Sequence, residues 1–142
     1  MNNNTGDVIN LCPFSKVIAA RIATCPHARQ VDRCSAKMTC LAADNWLPIC
    51  DTLDEQLKTN ARFIVHLATD EAQMTHQQSL KIRAGGIIGI HRILNLEDTE
   101  TQIPSMIAQL KKRYHRLEDF PYEKIINDIK SFSVRPKRTR RS

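Results

Sequence analysis

All five cysteines of this chain, Cys12, Cys25, Cys34, Cys40 and Cys50, fall within its first 50 residues. Residues 25–40 read CPHARQVDRCSAKMTC, and Cys12 stands upstream in the similar phrase CPFSK. A segment this rich in sulfur can organise itself around a metal, through disulfides, or by burying reduced thiols as small hydrophobes.

The stretches between successive cysteines are 12, 8, 5 and 9 residues long. A structural zinc site wants four thiolate or imidazole ligands in a tetrahedron, usually with two supplied as a close pair such as CxxC. This chain has no such pair. Iron–sulfur ligation tolerates more scattered spacing and often places proline after a ligand cysteine. Cys12 and Cys25 both precede Pro, so an iron–sulfur cluster fits slightly better than Zn. Two ligand sets are open: Cys12, Cys25, Cys34 and Cys40, or His27 with Cys25, Cys34 and Cys40. A haem held loosely through a Cys-Pro thiolate is a weaker reading. Against these stand plain buried or surface thiols, with redox or disulfide chemistry third.

The rest of the chain reads as helix. Its 142 residues are 42% hydrophobic, enough to bury a core, and only 5% aromatic. Leu, Ile, Ala, Lys, Arg, Glu and Gln predominate, which favours helices over a sandwich or barrel. The expected fold class is all-α: a small helical domain over residues 11–132, with a cysteine-rich segment at 11–50, a flexible start at 1–10 and a disordered basic tail at 133–142. A short helix is expected within 14–24. Thr52 with Glu55 fits a capping box that opens a helix carrying Leu53, Leu57, Ala61, Ile64 and Leu67 on one stripe. That helix reaches about residue 69, and a second stretch runs to about 83, where Gly85-Gly86 offers a stop. IIGIHRILNL, at 87–96, suits either a buried strand or a buried helix; with no comparable strand to pair with, it reads as helix. A helix over 103–117 tolerates Pro104 in its first turn, and Pro121 opens a last helix to about 132.

CPFSKVI at 12–18 and CPHARQV at 25–31 echo one another, but two copies make no repeat architecture. His66, His76, His91 and His115 are scattered. No P-loop, dinucleotide fingerprint, nucleophile elbow or HExxH is present, and Gly85-Gly86 with Gly89 is too short and apolar to cradle phosphate. The chain reads as non-enzymatic.

The net charge of +6 is concentrated at one end: residues 111–142 carry eleven Lys or Arg against four Asp or Glu, whereas the first 110 carry ten against eleven. Lys111, Lys112, Arg113 and Arg116 form one basic group, and Arg135, Lys137, Arg138, Arg140 and Arg141 a second. Such groups neutralise phosphates and release counterions, giving salt-sensitive binding with little sequence preference. Nucleic acid is the first expected partner and an acidic protein the second. IRAGGIIGIHRIL does not fit a helix-turn-helix register.

No apolar run approaches the roughly 18 residues of a spanning helix, and residues 1–14 lack a signal-peptide pattern. The expectation is a cytoplasmic protein, nuclear if eukaryotic or viral, since RPKRTRR would serve as an import signal. Its expected role is accessory or regulatory, with a cysteine-bound metal or iron–sulfur site and a basic end on nucleic acid. The alternative is a metal-free helical adaptor for a larger protein partner or for a second copy, a possible homo-oligomer.

Overall fold

A computed structural model of the protein describes residues 10–32, 36–62 and 76–132. The flexible start, the basic tail and the helical expectation over 63–75 fall outside the described residues, apart from Asn10. In chain order the elements are α1 (Ser15–Ala19), β1 (Ala28–Gln30), β2 (Met38–Cys40), α2 (Leu47–Ala61), α3 (His76–Leu94), α4 (Ile103–Tyr114), a 3-10 turn (Leu117–Asp119) and α5 (Tyr122–Ser131). The chain is mostly helical, as expected, but the all-α reading needs one correction. β1 and β2 form an antiparallel hairpin, with Ala28 opposite Cys40 and Gln30 opposite Met38. Strands three residues long carry no legible alternation. They are held by neighbours: the Cys12 N–H donates to the Met38 carbonyl and the Cys40 N–H to that of Asn10, each at 2.8 Å.

α3 is the centre of the helical part. Ile82, Ala84, Ile87, Ile90 and Leu94 are all buried along it. The expected stop at Gly85-Gly86 is overturned, because the helix runs straight through both residues. These glycines are contact points. A Cβ on Gly85 would lie 2.6 Å from Ile129 Cα on α5, one on Gly89 3.0 Å from the Ile125 carbonyl oxygen, and one on Gly86 2.7 Å from a Leu57 methyl on α2. Backbone-to-backbone approach makes α3 and α5 the most extensively packed pair of elements. A helix can afford glycines there because tertiary burial outweighs their low propensity. α3 ends at Asn95, whose φ of 57° and N–H to the Arg92 carbonyl (3.0 Å) make a left-handed cap.

The expected capping box does not open α2. The helix starts earlier, at Leu47, with Pro48 in its first turn, and the Thr52 hydroxyl donates back to the Pro48 carbonyl at 2.9 Å. One face buries Leu53, Leu57 and Ala61. The same helix buries Asp54, which accepts a two-pronged contact from Arg83 on α3 (2.7 and 3.0 Å) and pairs with Lys58 at 3.1 Å. A buried carboxylate costs little only when paired so fully. α4 and α5 follow their sequence periodicity: Ile103, Met106, Ile107 and Leu110 point inward from one, Tyr122, Ile125 and Ile129 from the other. Lys81 on α3 caps the far end of α5, donating to the Lys130 and Phe132 carbonyls at 3.2 and 2.7 Å.

Tyr122 yields an alkaline test. Its hydroxyl donates to the Leu117 carbonyl at 2.7 Å, and burial, reinforced by the Glu118 carboxylate, raises the phenol above its ordinary 10. The folded state therefore holds this proton more tightly than the unfolded state does. The resulting stability is complete below pH 10 and is lost as pH rises through the folded value. Tyr122→Phe is expected to cost about 1 kcal/mol at neutral pH, from the orphaned carbonyl. Urea midpoints against pH should then converge on those of the wild type above about pH 10. Parallel curves would remove Tyr122 from the alkaline response.

The cysteine-bearing segment joins this core directly. Phe14, Val17 and Ala23 are fully buried in the same cluster as the helices. Thr24 lies beside the start of α4, accepting from the Ile103 N–H and donating its own N–H to the Thr101 carbonyl, both at 2.9 Å. α1 closes with Ile22 N–H on the Val17 carbonyl and Arg21 N–H on that of Ile18, a Schellman cap. Its left-handed position, φ 64°, is held by Arg21. Glycine is preferred there, and an arginine pays roughly 1 kcal/mol in steric strain.

Candidate functional site

The echo between CPFSK and CPHAR becomes a shared geometry. Each Cys-Pro opens a turn closed by the fourth residue's N–H on the cysteine carbonyl, Ser15 to Cys12 and Ala28 to Cys25, both at 3.2 Å. Proline suits the second position of such a turn because its φ is already set. The turn aims amides at sulfur: the Phe14 N–H faces the Cys12 sulfur, and the His27 and Ala28 N–H groups face that of Cys25. The buried Ser15 hydroxyl fastens the first turn to the hairpin, donating to the Cys12 carbonyl at 2.6 Å and accepting from the Met38 N–H at 3.0 Å.

Cys40 ends β2, and Cys50 is the fourth residue of α2. The four thiols share one electrostatic neighbourhood. Burial pushes Cys12 up to about 11, and the sulfurs of Cys25 and Cys40 add to the rise. Burial likewise takes Cys50 to about 12, with Cys12, Cys25 and Cys40 contributing. Cys25 is raised by burial and by Cys40. Cys12, Cys25 and Cys50 are held as neutral thiols, and a negative charge on one would be felt by the others. Asp51, beside Cys50, also has its carboxyl raised by burial and by Asp54. Among the described residues, no group of three or more His, Cys, Asp or Glu side chains is set to hold a metal ion.

Of the sequence candidates, Cys12, Cys25 and Cys40 lie within electrostatic reach of one another. Cys34 lies outside the described residues. His27 stacks on Trp46, ring centroids 6.4 Å apart and planes 25° from parallel, while its carbonyl accepts from the Leu41 N–H. Cys50 joins the group although no expected ligand set contained it. Its signal was Pro48: a helix opened by that proline carries Cys50 on its first turns, whereas a helix opened at Thr52 leaves it outside.

The basic candidates divide. Lys111, Lys112 and Arg113 are exposed on the last turn of α4, and Arg116 stands 3.6 Å from Glu118. Between them, His115 adopts φ 72° and ψ −46°, with the Arg116 N–H on the Tyr114 carbonyl at 2.8 Å: a tight, strained turn after the helix. Arg135, Lys137, Arg138, Arg140 and Arg141 lie outside the described residues. Among those residues, no helix is long and apolar enough to cross a membrane. No protein-family model, curated protein or solved structure matches the chain.

Proposed function

We propose that this is a non-enzymatic accessory or regulatory protein. Its N-terminal segment holds a metal through Cys12, Cys25, Cys40 and Cys50, and its basic end engages nucleic acid. The observation that carries the reading is that four thiols from four separate places lie within electrostatic reach of one another, two of them in matching Cys-Pro turns. The donor chemistry fits, since four soft sulfurs suit tetrahedral zinc or an iron–sulfur cluster, and the side chains must draw together from their described positions to reach one ion or cluster. Amides aimed at Cys12 and Cys25 would stabilise their thiolates, as outer-shell donors do at such sites. A bound cation supplies the positive charge that lets buried thiols ionise, so loading releases protons. It would tie the two turns, the end of β2 and the start of α2 together. The second half of the reading rests on the exposed Lys111, Lys112 and Arg113 and on the basic tail.

A second reading is favoured by one observation: Cys12 and Cys50 are held neutral, with no described group set to bind metal. It is a metal-free helical adaptor for an acidic protein or a second copy. Metal analysis of anaerobically purified protein, made without a metal-binding tag, decides between them. About one zinc per chain, or about four irons with matching sulfide, is the expected result. A folded, metal-free chain makes the adaptor the better reading.

A further inference from the structure

The cysteine segment carries a basic surface that whole-chain charge conceals. Residues 10–40 hold five Lys or Arg against one acidic side chain, Asp32. Two of these arginines, Arg21 and Arg29, line an open groove of about 610 Å³ together with Thr24, Gln30, Cys25 and Met38. Among its described lining residues there is no carboxylate. The cavity beside α2 differs, mixing Asp51 and Asp54 with Lys16, Lys37 and Arg83.

Arg29 is held through its side chain, Arg21 through its backbone alone. Arg29 Nη1 donates to the Ala28 carbonyl at 2.9 Å and reaches that of Pro26 at 3.4 Å, which fixes the direction of its planar fork. Arg21 occupies the left-handed cap of α1, where glycine would be less strained. A residue kept in an unfavourable conformation points to use of its side chain. The groove's Thr24 also touches the start of α4, whose last turn carries Lys111, Lys112 and Arg113. That helix is about 18 Å long.

We infer that the groove lined by Arg21, Thr24, Arg29 and Gln30 is a phosphate-contacting surface for single-stranded nucleic acid, in addition to the basic end of the chain. The inference rests on the nucleic-acid half of the proposed function. It makes the cysteine segment part of the interface, since Cys25 stands both in the groove and among the thiols. Loss of metal would then weaken binding by loosening the groove's own wall.

The test uses Arg21→Gly in the full chain, because glycine relieves strain as it removes the cation. Binding to a labelled single strand of about 20 nucleotides is followed against salt concentration. Melting temperature and metal content are measured on the same samples. The expected variant melts at or above the wild type, keeps its metal content, and loses about fivefold in affinity near 0.1 M salt, with a salt slope smaller by about 0.7. Arg29→Gln should do the same. If Arg21→Gly binds like the wild type while replacing the tail cations 135, 137, 138, 140 and 141 with Gln abolishes binding, the groove is excluded and the proposed function stands. If the unmodified chain fails to bind the strand at low salt, the nucleic-acid reading falls and takes the groove with it. If polyglutamate binds in preference to the strand, the surface serves an acidic protein and the inference is wrong.

Discussion

Gly85→Ala protein is expected to melt roughly 6–15 °C below the wild type, the largest loss from any single methyl group in the helical part. The added Cβ would sit 2.6 Å from a backbone atom of α5, Ile129 Cα, and 3.1 Å from the Asp128 carbonyl oxygen. No side chain can rotate to make room. α5 must move away along the contact that fixes Ile125 and Ile129 in the core. Where backbone rather than a side chain must shift, overpacking goes beyond the usual ~1–3 kcal/mol to about 3–5 kcal/mol, against about 1 kcal/mol gained in helix propensity. A net loss of about 2–4 kcal/mol is a large share of a typical folding free energy. Gly86→Ala should be milder, because its neighbour is the side chain of Leu57. Thermal melts of the two variants provide the check. Equal stability of Gly85→Ala and wild type would mean that α3 and α5 stand further apart than described.

Cys50→Ser protein is expected to purify without bound metal and to lose order in the N-terminal segment, while Cys34→Ser keeps both. The proposed four-coordinate site, filled by Cys12, Cys25, Cys40 and Cys50, would have no place for a fifth sulfur. Structural zinc contributes an apparent 10–16 kcal/mol in small zinc-dependent folds. Even a fraction of that exceeds the roughly 1–2 kcal/mol expected for replacing a buried, metal-free thiol. Metal analysis with amide hydrogen exchange over residues 10–50 separates the cases. Metal loss in Cys34→Ser with retention in Cys50→Ser would reverse the assignment and restore a set containing Cys34.

The helices α4 and α5 were legible because two cues agree in each. Apolar residues recur at three and four, and a proline stands at the start: Pro104 in the first turn of α4, Pro121 just before α5. At Gly85-Gly86 the cue misleads, since glycine marks a helix stop and also a site of close helix approach, and only the tertiary partner tells which. At α2 two start signals competed. Pro48 opens the helix, and the Thr52 hydroxyl turns back to the Pro48 carbonyl, so the capping box is not used. That choice hid Cys50. Three of the four neighbouring thiols are legible from residue type and Cys-Pro context, but no spacing rule pairs residues brought near one another by a hairpin of three-residue strands. Arg21 and Arg29 escaped notice because charge was balanced over the first 110 residues, where the acidic residues after 40 cancel the basic ones before it.

The bond from Thr24 to Thr101 spans 77 positions of sequence. The cysteine segment is made early, yet the edge it docks against is made late. At ribosomal rates of about 5–20 residues per second, it waits on the order of 4–15 s for that edge to be synthesised. Until then Thr24 has neither the Thr101 carbonyl nor the Ile103 N–H to pair with. The nascent segment thus passes through an interval in which its own hairpin and turns exist without the edge that later fastens them to the helices.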